Sequence, residues 1–128
     1  HIKDVDVPLC AIACETDHIA AARSSFSGVQ KMGSDDKTFI LAQSGHIAGI
    51  VNPPSKKKYG HYVNPDNNLS FEDWKAGAEF DPISWWPRWE QWLSARSGKM
   101  IPSLSVGTKD YPVMDKAPGT YVLKKKTN

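Results

Sequence analysis

The chain has 128 residues, which is enough for one domain with a real hydrophobic core. Its 16 basic and 14 acidic residues give a net charge of +2, which is too small to indicate a nucleic-acid partner. No apolar run approaches the roughly 20 residues of a membrane span, and no signal peptide is recognisable. The start at His1 rather than Met suggests a piece of a longer protein.

Both cysteines, Cys10 and Cys14, fall in a continuous apolar run from Val7 to Cys14. Such a run predicts a strand covered on both faces, as in parallel sheets. Along a strand the two thiols would share one face about 13 Å apart, beyond the roughly 7 Å limit of a disulfide. We therefore expect reduced, buried thiols with raised pKa values and low reactivity, in keeping with a cytosolic location.

A βαβ unit follows from the next pattern changes. Apolar residues recur at three- and four-residue steps after the first strand, which predicts an amphipathic helix at about 20–32. A second apolar run, Lys37 to Ala42, predicts the next strand. The fold class is therefore α/β, with neighbouring parallel strands at about 7–14 and 37–42.

Beyond the second strand, Gly45 allows a sharp turn, and residues 46–51 predict the start of a helix that two prolines would end. Residues 55–68 have the composition of a long polar loop. Within it, Lys56 to Lys58 could attract an anionic substrate, although a solvated loop is the default interpretation.

Two further helices are predicted before the end of the chain. One lies at about 70–78, with Ser70 as N-cap and Asp73 as its partner. The other lies at about 85–97, with Pro87 in its first turn and a stripe of tryptophans that favours a core position. Residues 99–128 show little periodicity apart from an extended piece at 121–123. We therefore expect one partial domain, 1–128, ending in an irregular C-terminal extension, 99–128.

Asp17 and His46 are the candidate catalytic residues, because each follows one of the parallel strands at the edge where α/β sheets place their chemistry. A carboxylate beside an imidazole fixes its tautomer, so that the imidazole can act as a general base. Spacing alone leaves an equal alternative, in which Asp17 caps the next helix and His46 satisfies a turn. The order Asp before His matches the last two members of an α/β-hydrolase triad.

The sequence lacks an obvious nucleophile, because it contains no Gly-x-Ser-x-Gly elbow and no cysteine version of it. Ser24 and Ser25 lie in the predicted helix without flanking glycines and are poor candidates. His18 favours a structural or solvent-facing role. Asp17 could join His18, His46 and His61 in a metal site, but no diagnostic spacing supports one, so we expect no metal and no cofactor.

Several motifs together resemble the C-terminal part of the polyhydroxyalkanoate synthases. Asp17-His18-Ile19-Ala20 is followed by SGHIAGIVNPP at 44–54, SWWPRW at 84–89 and APGTYV at 117–122. These motifs occur in the order that the family shows and extend over nearly the whole chain. One departure is Ala21-Ala22, where the family usually has Pro-Trp, and it removes an aromatic residue next to the acid.

The resemblance implies an α/β-hydrolase-type acyltransferase that polymerises (R)-3-hydroxyacyl-CoA into polyester and releases CoA. It implies that His46 is the general base for a cysteine that lies upstream of His1. Asp17 is then either the triad acid or the activator of the incoming 3-hydroxyl group. The partners would be the acyl-CoA, the growing polyester and the upstream half of the enzyme, in the cytoplasm at the surface of polyester granules. The chain alone should be inactive.

Two other classes of function remain open on the sequence. An esterase or polyester depolymerase on the same fold would carry serine at the absent elbow. A non-catalytic module would bind a granule or a partner protein through its tryptophans. In either case the first strand would have an exposed edge, so we also expect a homodimer or strand swapping.

Overall fold

A computed structural model describes residues 1–125 of the chain, and the last three residues of the predicted extension lie outside the described part. Within residues 1–125, four strands and three α-helices form in the order β1, α1, β2, β3, α2, β4, α3. Their bounds are β1 Leu9–Cys14, α1 Ala22–Lys31, β2 Lys37–Ala42, β3 His61–Val63, α2 Phe71–Ala76, β4 Glu79–Asp81 and α3 Trp86–Ser94.

The strands form one mixed sheet in the order β1-β2-β3-β4. β1 and β2 are parallel, with Leu9 opposite Lys37 and Cys14 opposite Ala42. β3 and β4 extend the sheet in antiparallel fashion. The α/β class and the two parallel strands are confirmed, and both strands therefore end at the same edge of the sheet.

The strand β3 corrects the sequence prediction, which assigned residues 55–68 to a loop, and β4 forms between two predicted helices, where no strand was predicted. Each strand has only three residues, too few to show the alternation by which a strand is recognised. The helix predicted at 46–51 is also wrong. Two isolated i to i−4 bonds, Gly49 N to Gly45 O at 2.9 Å and Val51 N to Ile47 O at 2.8 Å, form turns there that do not continue.

The three predicted helices form, each shorter than expected. Ser70 caps α2 as predicted, since its hydroxyl accepts from Asp73 N at 3.1 Å and donates to the Asp73 carboxylate at 2.7 Å. Pro87 lies in the first turn of α3 as predicted. No helix among residues 1–125 combines the length and the apolar character needed to cross a membrane.

An aromatic cluster joins α1 and α2 to one face of the sheet. Phe26, Phe39 and Trp74 are at most 1% exposed, and their ring centroids lie 5.0 to 5.5 Å apart. The opposite face is covered around Ile40 by Trp85. The cluster fixes α1 on β1 and β2, and so fixes the loops at the ends of these strands.

The chain divides into two compact units, His1–Ser97 and a second that begins at Gly98. Within residues 98–125 the second unit contains no α-helix and no strand. The piece predicted to be extended at Tyr121–Leu123 is instead a single 3-10 turn, so that prediction is wrong.

Candidate active site

Asp17 lies in a tight turn immediately after β1. Its amide donates to Cys14 O at 3.2 Å, and its Oδ1 accepts from the amides of Ile19 at 2.8 Å and Ala20 at 2.9 Å. The N-cap of α1 is Ala21, which makes no side-chain cap. Asp17 therefore stabilises its own turn and does not cap the helix.

His46 meets the second carboxylate oxygen of Asp17. The distance from His46 Nδ1 to Asp17 Oδ2 is 2.8 Å, and the side chains are 45% and 6% exposed respectively. The amide of Ala20 and then the His46 and Ile19 hydrogen bonds lower the pKa of Asp17 to about 2. An ionised carboxylate can only accept, so Nδ1 of His46 carries the hydrogen. The Nε2 lone pair is left available for another proton.

The loop that carries His46 begins with a left-handed residue. That residue is Ser44, at φ 73°, and not Gly45, to which the sequence analysis assigned the turn. Gly49 closes the loop against the sheet, where a Cβ atom would come within 2.5 Å of Cys14 Sγ and 2.7 Å of Gln43 O. The loop is therefore packed directly on the end of β1.

The residues just before and at the start of α3 hold the same loop through side-chain hydrogen bonds. Ser84 Oγ donates to Asn52 O at 2.5 Å, and the indole nitrogens of Trp85 and Trp86 donate to Gly49 O and Ile50 O, each at 2.9 Å. We call Ser84, Trp85 and Trp86 the loop clamp. Trp85 is buried in the core with Trp86 packed against it, whereas no residue of α3 itself is buried and Trp89 is exposed. The predicted core stripe is therefore confirmed only where the helix begins. A stripe of tryptophans in the sequence suggests apolar packing, and it does not reveal that the indole N–H groups donate hydrogen bonds to the loop.

The two other histidines considered for a metal site, His18 and His61, make no hydrogen bond to the side chains of Asp17 and His46. His18 is exposed and makes no side-chain hydrogen bond among residues 1–125. His61 is fully buried: its Nδ1 lies 2.9 Å from Ile83 O, and its Nε2 accepts from Arg88 Nε at 2.8 Å. Both ring nitrogens of His61 are thereby used to join β3 to the region of α3, a structural role.

Both cysteines are free, as predicted. Burial raises the pKa of Cys10 and of Cys14, and the carboxylate of Asp17 adds to the effect on Cys14. No group of three His, Cys, Asp or Glu residues that could hold a metal ion occurs in the described part of the chain. Asp17 and His46 are thus the two predicted site residues whose side chains the structure brings together.

Known proteins of similar sequence are poly(3-hydroxyalkanoate) polymerases. The segment is 44% identical over 122 residues to a "Poly(3-hydroxyalkanoate) polymerase" of Methylorubrum extorquens, covering 94% of this chain and 20% of that protein. It is 36% identical over 124 residues to a "Poly(3-hydroxyalkanoate) polymerase subunit PhaC" of Rhizobium etli, covering 97% and 19%. This segment belongs to the poly(3-hydroxyalkanoate) polymerase family.

The chain spans about one fifth of the length of these polymerases, and the same holds for the subunit of Cupriavidus necator, which is 34% identical over 122 residues. No protein-family model matches the chain. Where the family resemblance led us to expect Pro-Trp, Ala21 is exposed and Ala22 packs with Phe26 in the hydrophobic core. These two alanines are the N-cap and the first residue of α1.

Proposed function

We propose that this segment supplies the general base and its orienting acid to an acyltransferase that polymerises (R)-3-hydroxyacyl-CoA into polyester and releases CoA. The observation that carries the proposal is the contact of 2.8 Å between Asp17 and His46 at the ends of two parallel strands. The polymerase names of the relatives support the substrate class. We place the protein in the cytoplasm at the surface of its insoluble polyester product.

The nucleophile belongs to the part of the enzyme outside this segment, and the family resemblance makes it a cysteine. His46 Nε2 removes the thiol proton while sulfur attacks the thioester carbonyl. The acyl–cysteine bond forms, the bond to the CoA sulfur breaks, and the departing CoA sulfur takes the proton from the imidazolium. The second step reuses Nε2 to deprotonate a 3-hydroxyl group, whose oxygen forms the ester while the cysteine sulfur leaves with that proton.

Asp17 fits the role of the orienting acid better than that of activator of the 3-hydroxyl. Its Oδ1 accepts two backbone amides and its Oδ2 accepts from His46. An oxygen already engaged in this way is poorly placed to take a proton from a substrate. Holding Nδ1–H of His46 keeps the lone pair on Nε2 and stabilises the imidazolium that forms.

The test uses the full-length polymerase that carries this segment. His46→Gln should lower the rate of CoA release from a 3-hydroxyacyl-CoA by about 10⁴-fold or more, because the general base is lost. His18→Gln is the matched control, an exposed histidine one residue from the acid that should leave the rate unchanged. Retained activity in His46→Gln would overturn the assignment of the base.

The 128-residue chain should release no CoA above the uncatalysed rate, because it lacks the nucleophile. Turnover by this chain alone would sink the proposal. In the full-length protein, identification of the acylated residue by mass spectrometry separates the two enzyme classes. Acylated cysteine favours the acyltransferase, and acylated serine favours a hydrolase.

A further inference from the structure

A cleft opens beside the loop that carries His46, and its lining residues follow His46 in the chain. It has a volume of about 370 Å³. One wall is the turn that follows His46, and the other is the loop before β3. We call it the lysine cleft, and its principal lining residues are Ile47, Val51, Asn52, Lys56, Lys58 and Tyr59.

The two walls of the lysine cleft are joined by hydrogen bonds. Asn52 is 2% exposed, and its Nδ2 donates to Tyr59 O at 2.8 Å. Gln43 N donates to Gly60 O, and Gly60 N donates to Gln43 Oε1, both at 2.9 Å. A hydrogen bond with Ser44 and then the Lys58 ammonium group lower the pKa of the Tyr59 phenol. The cleft is therefore tied to the loop that positions the base.

The charge around the cleft is positive and uncompensated. No Asp or Glu lines the cleft, and none occurs from residue 37 to residue 65 of the sequence. Lys56 and Lys58 line the cleft, and neither forms an ion pair with a carboxylate among residues 1–125. Exposed ammonium groups that line one cleft without a carboxylate partner favour an anionic ligand.

The opposite wall is apolar and exposed. The side chains of Ile47 and Val51 are 73% and 54% exposed. An aromatic ring also borders the cleft, since Lys58 Nζ lies 4.9 Å from the Tyr59 ring centroid. The ligand that fits is one with phosphate groups, a planar base and an apolar arm, which is the composition of a CoA thioester.

We propose that the lysine cleft binds the nucleotide end of the CoA substrate. Lys56 and Lys58 pair with its phosphate oxygens, Tyr59 contacts the adenine, and the turn at Ile47 and Val51 guides the pantetheine arm towards His46. This assignment rests on the proposed function, because it takes the acyl-CoA as the substrate. It gives the loop after residue 54 a substrate-binding role in place of the solvated-loop interpretation.

The first experiment compares two substrates in the full-length polymerase. The double variant Lys56→Gln/Lys58→Gln should raise KM for 3-hydroxyacyl-CoA about tenfold, as expected for the loss of charge-assisted hydrogen bonds. With 3-hydroxyacyl-pantetheine, which has no nucleotide phosphates, variant and wild type should have the same KM. An equal rise for both substrates would overturn the proposal and favour a cleft for the uncharged polyester.

Lys57→Gln is the matched control, because Lys57 carries the same charge in the same loop but does not line the cleft. It should leave KM for the acyl-CoA within about twofold of wild type. An effect as large as that of the double variant would show general electrostatic attraction by the loop, and would also overturn the site.

The second experiment measures binding without turnover, which separates this proposal from the proposed function. Full-length His46→Gln is titrated with CoA, 3′-dephospho-CoA, pantetheine and inorganic phosphate. Affinity should fall in that order from CoA to pantetheine, and adding Lys56→Gln/Lys58→Gln should remove the advantage of CoA. Inorganic phosphate that binds as tightly as CoA would overturn nucleotide recognition. CoA could bind to His46→Gln as expected while the wild-type polymerase releases no CoA from 3-hydroxyacyl-CoA. In that case the proposed function fails and the assignment of the cleft stands.

Discussion

Each carboxylate oxygen of Asp17 has a separate task. Oδ1 closes the turn after β1 through two backbone amides, and Oδ2 holds His46. The hydrogen bonds at both oxygens are stronger with the charged form, and they lower the pKa of Asp17 to about 2, the Ala20 amide contributing most. The geometry of the base thus depends on a group that stays ionised throughout the physiological pH range.

This ionisation predicts a pH-dependent contribution to stability. The unfolded chain holds a proton on Asp17 up to about pH 4, whereas the folded chain releases it down to about pH 2. The contribution is therefore complete above about pH 4 and is lost as the pH falls towards 2. Asp17→Asn should have a flatter profile of urea midpoint against pH between 5 and 2 than the wild type.

Asp35→Asn is the control for this profile, because Asp35 is exposed and makes no ion pair or side-chain hydrogen bond among residues 1–125. Its profile should run parallel to that of the wild type. Parallel profiles for Asp17→Asn and wild type would contradict the link between the charge of Asp17 and the fold.

The positions of Asp17 and His46 could be predicted from the sequence, but many of the contacts that hold their loops could not. Two apolar runs around a helical pattern imply parallel neighbours, and parallel strands end at one edge, so the sequence sets the pair side by side. The left-handed residue Ser44 could not be foreseen, because glycine is the usual choice there and Gly45 is adjacent. Catalytic roles for the pair stay a prediction.

At the scale of elements, the loop after β2 is organised by contacts from distant parts of the chain. The loop clamp reaches it from residues 84–86, and Gly49 packs it on Cys14. The same dependence explains why β3 and β4 escaped prediction, since strands of three residues exist only through their partners. The local sequence pattern predicts the longer helices and strands, whereas tertiary contacts decide whether strands of three residues form.

Gly49→Ala should therefore destabilise the chain although alanine is a small residue. The new Cβ would lie within 3.0 Å of Cys14 Sγ, Gln43 O and Gly45 O, so the loop or the end of β1 must shift. We expect a loss of about 1 to 3 kcal/mol in the free energy of unfolding, measured by urea denaturation.

Gly28→Ala, by contrast, should stabilise the chain. Gly28 lies inside α1, and nothing stands within 4 Å of the Cβ position. This change should raise the free energy of unfolding by about 0.5 to 1 kcal/mol, because alanine loses less backbone entropy in a helix. Equal effects of the two substitutions would contradict the close packing at Gly49.

At the scale of the whole molecule, the sheet ends at β1. Among the described residues β1 pairs with β2 alone. Leu9 N donates to Asp36 O and Glu15 N to Ala42 O, so the amides of Cys10 and Ile12 between them turn away from β2 by the alternation of a strand. Such an edge is a template for another strand.

We therefore expect the 128-residue chain to associate through β1. In sedimentation velocity the weight-average sedimentation coefficient should rise with protein concentration. Cys10→Glu should reduce this rise, because it places a charge on the edge strand. Ser24→Glu, which adds the same charge on an exposed position of α1, should not change it. Far-UV circular dichroism of Cys10→Glu checks that the variant is folded. A wild-type chain that stays monomeric over a hundredfold range of concentration would show that the edge of β1 does not recruit a partner strand.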